Sequence, residues 1–290
     1  MKNQTNENKF ELLDYQVYAQ NPENYPLPIL KKFENKTKKL WYFGVNHSYD
    51  YKDKMFAQIE MAFAELSPDL VILEASLKIN SLTENYKKET LDKTKKQIIT
   101  EKGEFGLGLW LAFGDSKMVF CPEPSFLEQV EFLQKKFKKD EIFCSFILEM
   151  ADQYTRLVDE KRTLQRYLEE EIIWQKNSLE KLDGWENFDF SYLHFLSSFQ
   201  EISNFNFDKT KPDLWSELVD PIVWKTKKHK WNALNEISLE NCNFRDRYIL
   251  GQIAKKIEIH NKILVIYGGS HFYIQEFALK KIINQKTKLN

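Results

Sequence analysis

Cysteine is scarce in this chain of 290 residues: only Cys121, Cys144 and Cys242 occur. They are odd in number, far apart and without CxxC spacing, which excludes a disulfide framework and a thiolate zinc site and leaves them as small core residues. An excess of charge of one sign is also missing. The 42 Lys and Arg residues stand against 43 Asp and Glu, a formal net charge of −1, so no overall field draws the chain to nucleic acid or an anionic membrane. No uninterrupted apolar run is long enough to span a bilayer, and the first residues, MKNQTNENKFELLDY, carry no apolar segment of the secretory type. A cytoplasmic protein with no membrane span and no nucleic-acid partner is therefore expected. What is present is the balance of a globular protein, 42% hydrophobic and 29% charged, with enough length for one large domain or two.

Glycine and proline are few, nine and eight residues, and their positions punctuate the chain. Three prolines fall in NPENYPLPILKKFENK, which reads as an irregular leader over residues 1–38. KLWYFGV (39–45) is a short apolar run suited to a buried strand. Met55, Phe56, Ile59, Ala62, Phe63 and Leu66 then recur at helical spacing, and Ser67 and Pro68 stop them. DLVILEAS is a second strand and KMVFCPEPS a third, so the start of the chain has the βαβ signature of a parallel sheet. Neither glycine nor proline occurs between Phe126 and Asp183, which predicts a long helix or a helical hairpin. The stretch from Trp185 to Trp231 predicts short helices broken at Pro212 and Pro221. RDRYILGQIAKKIEI reads as a helix, KILVIYGGSH as a strand and FYIQEFALKKIINQ as a closing helix. The fold class expected is α/β: a parallel-type sheet of βαβ units, with residues 39–125 and 241–290 as two halves of one domain and 126–240 as a helical insertion or lid. The sign-alternating run at 86–96 reads as one exposed helix.

The chemistry gathers at the strand ends. In a parallel sheet, ligands bind beyond the carboxyl ends of the strands, and GVNH, VILE, PEP and YGGSH place His47, Glu74, Glu123 and His271 there, on one rim. Glycine before each histidine permits a tight turn or positive φ and leaves no side chain between backbone and ligand. Other roles are open to the carboxylates. Glu74 could cap a helix, and Glu123, between two prolines, could accept backbone N–H groups in a turn. EKGEFGLGLWLAFGDS holds Gly103, Gly106, Gly108 and Gly114 but no Walker lysine, so a nucleotide loop is rejected; a helix packed on the sheet with Glu104 turned to the rim is expected instead. NFRDRYI sets Arg245, Asp246 and Arg247 at a helix start, as solvated charges or with an arginine that clamps a carboxylate or stabilises an oxyanion. His194, among aromatics, reads as a core residue, His229 as part of a basic face and His260 as a helix end.

The order GVNH, VILE, GEFG, PEP, a helical stretch, NEISLENCNFRDRYI and YGGSH resembles the Tiki/TraB/GumN group and its erythromycin-esterase-like and ChaN-like relatives, over about residues 38–285. The resemblance implies a hydrolase-like α/β fold with an inserted helical part and a site centred on His47, Glu74 and His271. Arg245 matches the group's RD position, with Glu104 and Glu123 beside it. Within the group, Tiki proteins look like metal-dependent peptidases, the esterase relatives like metal-independent hydrolases, ChaN-like proteins are tied to haem iron and TraB to peptide pheromone control. A hydrolase of a small-molecule or peptide substrate is thus expected. In a metal form, His47, His271 and Glu74 would hold a divalent ion and Glu104 or Glu123 would act as base. In a metal-free form, a histidine activates water and Glu74 orients it, with Arg245 on the developing oxyanion in either case. The alternative is a non-catalytic protein that sequesters haem or a peptide. The discriminating feature is whether the carboxylates face the histidines, because water activation profits from them and sequestration does not require them.

Overall fold

The computed structural model describes residues 10–20, 22–75, 83–155, 161–221 and 232–284. The chain divides into two compact units, Met1–Pro124 with Arg245–Asn290, and Ser125–Phe244.

The first unit is built on a mixed five-stranded sheet, so the protein is of the α/β class. Its strands are β1 (Ile29–Glu34), β2 (Lys39–Val45), β3 (Leu70–Leu73), β4 (Met118–Phe120) and β5 (Lys262–Gly268), in the order β1-β2-β5-β3-β4. The last four are mutually parallel, while β1 runs antiparallel to β2. The last strand in sequence thus takes the central position, with β2 on one side and β3 on the other. Its residues from Ile263 to Gly268 are all buried, as a strand covered on both faces requires.

Strand β1 corrects the expectation of an irregular leader. Its three prolines all precede Ile29, so none removes a ladder donor, and Ile29 to Glu34 pair with Gly44 to Lys39. The Asn35 carboxamide closes the hairpin by accepting the N–H groups of Thr37 and Lys38. The same leader also carries a short helix, α1 (Tyr15–Gln20).

Helix α2 (Lys54–Leu66) follows its sequence pattern. The Asp53 carboxylate caps it by accepting the Met55 N–H, the predicted apolar positions are buried, and Ser67 ends it in the left-handed region at φ 47°. The 86–96 run is not one helix. It contains the end of α3 (Glu84–Leu91) and the start of α4 (Lys95–Gly114), because Thr94 and Gln97 form a capping box that begins a new helix. Beyond the sheet, α10 (Ala233–Ile259) leads into β5, and α11 (Gly269–Asn284) follows β5 with no intervening loop. Arg245 and Asp246 therefore lie inside a helix and not at its start. One sheet face packs Phe43, Phe56, Ile59, Leu107 and Ile266, and the other packs Tyr42, Ile253, Val265, Phe272 and Leu279.

The second unit is helical. The long helix or helical hairpin expected over 126–183 is three helices, α5 (Phe126–Leu133), α6 (Lys139–Tyr154) and α7 (Leu164–Leu179). Caps interrupt it where glycine and proline do not: Ser125 with Glu128 opens α5, Glu141 accepts the Lys138 N–H before α6, and Thr163 caps α7. With α8 (Tyr192–Ser203) and α9 (Pro212–Val219), they bury Phe143, Ile147, Trp185, Phe195, Phe199 and Trp215 around α6. Pro212 sits in the first turn of α9, where its missing N–H costs nothing, and so begins a helix. His194 stands on α8 with Nε2 2.8 Å from Asp140 Oδ1 and its ring against Phe143 and Phe188. His260 follows the end of α10, whereas His229 lies outside the described residues. Cys121 and Cys144 are buried, and Cys242 is half-buried. Among the described residues no helix is long and apolar enough to cross a membrane.

Candidate active site

The parallel register brings four strand ends to one edge of the first unit's sheet. Val45 pairs with Gly268, Leu73 with Ile266, and Ile72 with Phe120. His47, Glu74, Glu123 and His271 follow these ends within a few residues; Glu74, Glu123, His271 and Arg245 are joined by their contacts, and the His47–Glu104 pair faces them at Gly268.

His47 lies just past β2 and is open, its side chain 58% exposed. Its Nδ1 is hydrogen-bonded to Glu104 Oε1, a carboxylate supplied by α4. That meeting depends on Gly103. At φ 57° and ψ −142° this residue breaks the helical path inside α4, and a Cβ there would lie 2.8 Å from the Ser48 carbonyl oxygen, so only glycine lets the kinked helix approach the His47 loop. The hydrogen bond to Glu104 raises the His47 pKa above the ordinary histidine value. Partial burial opposes this, and the charge of Glu74 adds to it.

His271 has the opposite exposure. It lies in the first turn of α11, with its side chain 9% exposed, and its Nδ1 is 2.7 Å from Oδ1 of the wholly buried Asp246. Burial by itself would lower its pKa, but the charge and hydrogen bond of Asp246, aided by Glu74, outweigh it and push the value up to about 9. His271 is therefore an imidazolium at neutral pH. Its Nε2 is 3.8 Å from Glu74 Oε1, beyond a direct hydrogen bond.

Glu74 reaches across to β5. Its Oε2 accepts the Gly268 N–H at 2.6 Å, and its Oε1 is 4.0 Å from Arg245 Nη2. Gly268 explains why this strand ends on glycine. A Cβ on it would lie 3.1 Å from Glu74 Oε2, 3.2 Å from His47 Nε2 and 3.6 Å from His271 Cδ2. Two histidines and a glutamate thus surround the space that a side chain would fill. Positive φ, the other reason expected, does not apply: among the glycines it occurs at Gly103 and Gly184.

Arg245 and Glu123 form a second layer. The guanidinium donates from Nε and Nη2 to the two Glu123 oxygens, each at 2.9 Å, and Tyr267 Oη donates to Glu123 Oε1 at 2.7 Å. Burial disfavours the Glu123 charge, but Arg245, His271 and Tyr267 prevail and lower its pKa. Burial and the Glu123 charge push the Tyr267 phenol well up. Glu123 is thus held ionised in a bidentate pair, which suits fixing Arg245 better than taking a proton from water.

The metal set expected from the sequence is not drawn together as ligands. Among the described residues no group of three or more His, Cys, Asp or Glu side chains is arranged to hold an ion. Glu74 is turned to an N–H, with two cationic side chains near its other oxygen, and the residues as placed do not fit a divalent ion.

Tyr267, Gln275 and Tyr15 were not among the residues singled out from sequence, and Asp246 was named there only as one of three charges at a helix start. Asp246 had a signal, because it precedes the buried Ile249, Leu250 and Ile253 at helical spacing, which places it on the apolar stripe of α10. Gln275 follows His271 by one turn on the buried face of α11. Tyr15 carries no local signal. No family profile, curated protein or solved structure matches the chain.

Proposed function

We propose that the protein is a hydrolase of ester or peptide bonds in which His47 activates water without a metal ion. The observation that carries this reading is the pairing of two unlike histidines around Gly268, each with its Nδ1 on its own carboxylate. Glu104 fixes the His47 tautomer and leaves Nε2 to take a proton from water. The water oxygen bonds to the substrate carbonyl carbon, and an oxyanion develops. The protonated Nε2 of His271 faces that charge and stabilises it. As the carbon bond to the leaving oxygen or nitrogen breaks, His47 returns its proton to that atom, giving an acid and an alcohol or amine. Glu74, hydrogen-bonded to the Gly268 N–H, orients the water, and Arg245 with Glu123 supports Glu74 from behind.

The carboxylates favour this reading over sequestration of haem or a peptide. Glu104 and Glu74 face the two histidines, as water activation needs and sequestration does not. The motif order resembles that of the Tiki/TraB/GumN group and its erythromycin-esterase-like and ChaN-like relatives, which supports a site on these residues without choosing among the group's functions. A metal-dependent variant has one observation in its favour, since histidine ligands also commonly donate Nδ1–H to a carboxylate. Against it stand the neighbouring Arg245 and the imidazolium of His271.

The test is elemental analysis of the purified protein with a hydrolysis screen over esters and short peptides, with and without added divalent ions. Metal-independent turnover that His47→Ala abolishes is the expected result. Stoichiometric metal lost in that variant would establish the metal form. Neither metal nor turnover would overturn hydrolysis and leave haem or peptide binding.

A further inference from the structure

We infer that Asp246 and Tyr15 form a cradle that fixes the ring and tautomer of His271, which makes helix α1 part of the site; this rests on the hydrolytic reading and deepens it. Asp246 is wholly buried and takes three donors. Its Oδ1 accepts from His271 Nδ1 at 2.7 Å and from Gln275 Nε2 at 2.6 Å, and its Oδ2 accepts from Tyr15 Oη at 2.6 Å. His271 and Gln275 stand one turn apart on α11 and so reach the same oxygen. Tyr15 reaches the other oxygen from a segment 231 positions away in sequence. With both oxygens engaged, the carboxylate cannot turn about its last torsion without losing a bond.

The consequence falls on His271. A carboxylate acceptor requires the proton on Nδ1, and its fixed plane sets the ring, so Nε2 keeps its heading toward Glu74, 3.8 Å away. Packing alone does not explain Tyr15. Its ring is buried, and phenylalanine would fill the same space, but the hydroxyl donates to a carboxylate, and hydrogen bonds to charged groups are worth more than neutral ones. Tyr15 is thus a positioning residue that acts through Asp246, and Gln275 is its counterpart on α11.

The experiment uses the full chain labelled with nitrogen-15, the His271 imidazole signals being assigned by their loss in His271→Gln. Tyr15→Phe and Asp246→Asn are compared with wild type in these signals, in melting temperature, and in kcat and KM on the best ester or peptide from the screen. A downfield Nδ1–H signal in wild type is expected. It should move in Tyr15→Phe, with kcat lowered about threefold to tenfold and KM unchanged, and vanish in Asp246→Asn, with kcat lowered about a hundredfold, in the range found when partners of functional histidines are removed. An Nδ1–H signal and kcat both unchanged in Tyr15→Phe, or a lower melting temperature with the signal unmoved, would overturn the cradle and leave α1 as a structural strap. If Asp246→Asn does not fold, Tyr15→Phe decides. If wild type hydrolyses nothing, the hydrolytic reading fails, and the cradle stands or falls on the Nδ1–H signal alone.

Discussion

The ends of β2 and β5 carry the same short pattern, an apolar strand, a glycine and a histidine three residues later, yet the fold treats the two histidines in opposite ways. His47 stands on a loop with 58% of its side chain exposed, while His271 is tucked into the first turn of a helix with 9% exposed. Each has a carboxylate on Nδ1, but Glu104 is half-buried and Asp246 is fully enclosed. An exposed ring exchanges protons with water readily, whereas a buried ring against a buried carboxylate must stay charged to neutralise it. One motif therefore gives an open ring at one strand end and a buried, ion-paired ring at the other, which the proposed hydrolysis would use as base and fixed cation. Sequence identity of the two turns carries no information about which is which, because the difference lies in the elements packed against them.

That contrast breaks most visibly under deletion of each ring. His271→Ala leaves Asp246 buried without its cation and should cost about 3–5 kcal/mol of stability, together with activity. His47→Ala should lower kcat/KM by about 10²–10⁴-fold with the melting temperature nearly unchanged, since an exposed side chain leaves no cavity. Thermal melts and kinetics on both variants check this. Equal loss of stability in the two would mean that His47 is structural.

Next in size is the dependence on pH. The His271 pKa is raised in the folded state, so its contribution to stability is fully present below the unfolded value of about 6.5 and is lost as pH rises through about 9. The difference is on the order of 3 kcal/mol, and denaturant titrations at a series of pH values should show it as a fall in stability across that window, absent in Asp246→Asn. His47 behaves differently, because its titration appears in turnover. It must lose its proton to act, so the acid limb of kcat/KM should lie above the ordinary histidine range, and the alkaline limb near the His271 value of about 9. Glu104→Gln removes the main cause of the His47 shift and should move the acid limb to lower pH, with activity down about 10–100-fold. An acid limb unmoved in that variant would show that another group is the base.

The sheet and the rim were legible because both depend on local pattern. Strands buried on two faces read as unbroken apolar runs, and residues just after such strands must lie at the sheet's carboxyl edge. What was hidden came from long-range pairing. The central place of β5 is set by its partners, and nothing in KILVIYGGSH says that it lies between β2 and β3. Strand β1 was missed because three prolines drew attention from ILKKF behind them. Asp246 reads as one of three surface charges in NFRDRYI, although its helical register with Ile249 and Ile253 puts it on the buried stripe of α10. Tyr15 could not be found at all, since a tyrosine on a six-residue helix gains its meaning only from a carboxylate far along the chain. Glu104, by contrast, was visible through GEFG as part of a helix expected to pack on the sheet, although the kink at Gly103 that brings it to His47 had no signal of its own.

The smallest expected effect is the sharpest test of how close the two histidines must come. Gly268→Ala adds one methyl group at a point 3.1 Å from Glu74 Oε2 and 3.2 Å from His47 Nε2, and both atoms end flexible side chains that can yield by a few tenths of an ångström. The backbone there is free of positive φ, so the substitution carries no conformational strain, and the melting temperature should change little. The methyl group does occupy the space that His47, Glu74 and His271 surround, where water and the reacting carbonyl must meet, and a displacement of this size lowers kcat by about tenfold when geometry governs the reaction. If Gly268→Ala retains full activity, the two histidines do not act on a common atom, and the site divides into an open base at His47 and an unrelated buried ion pair at His271.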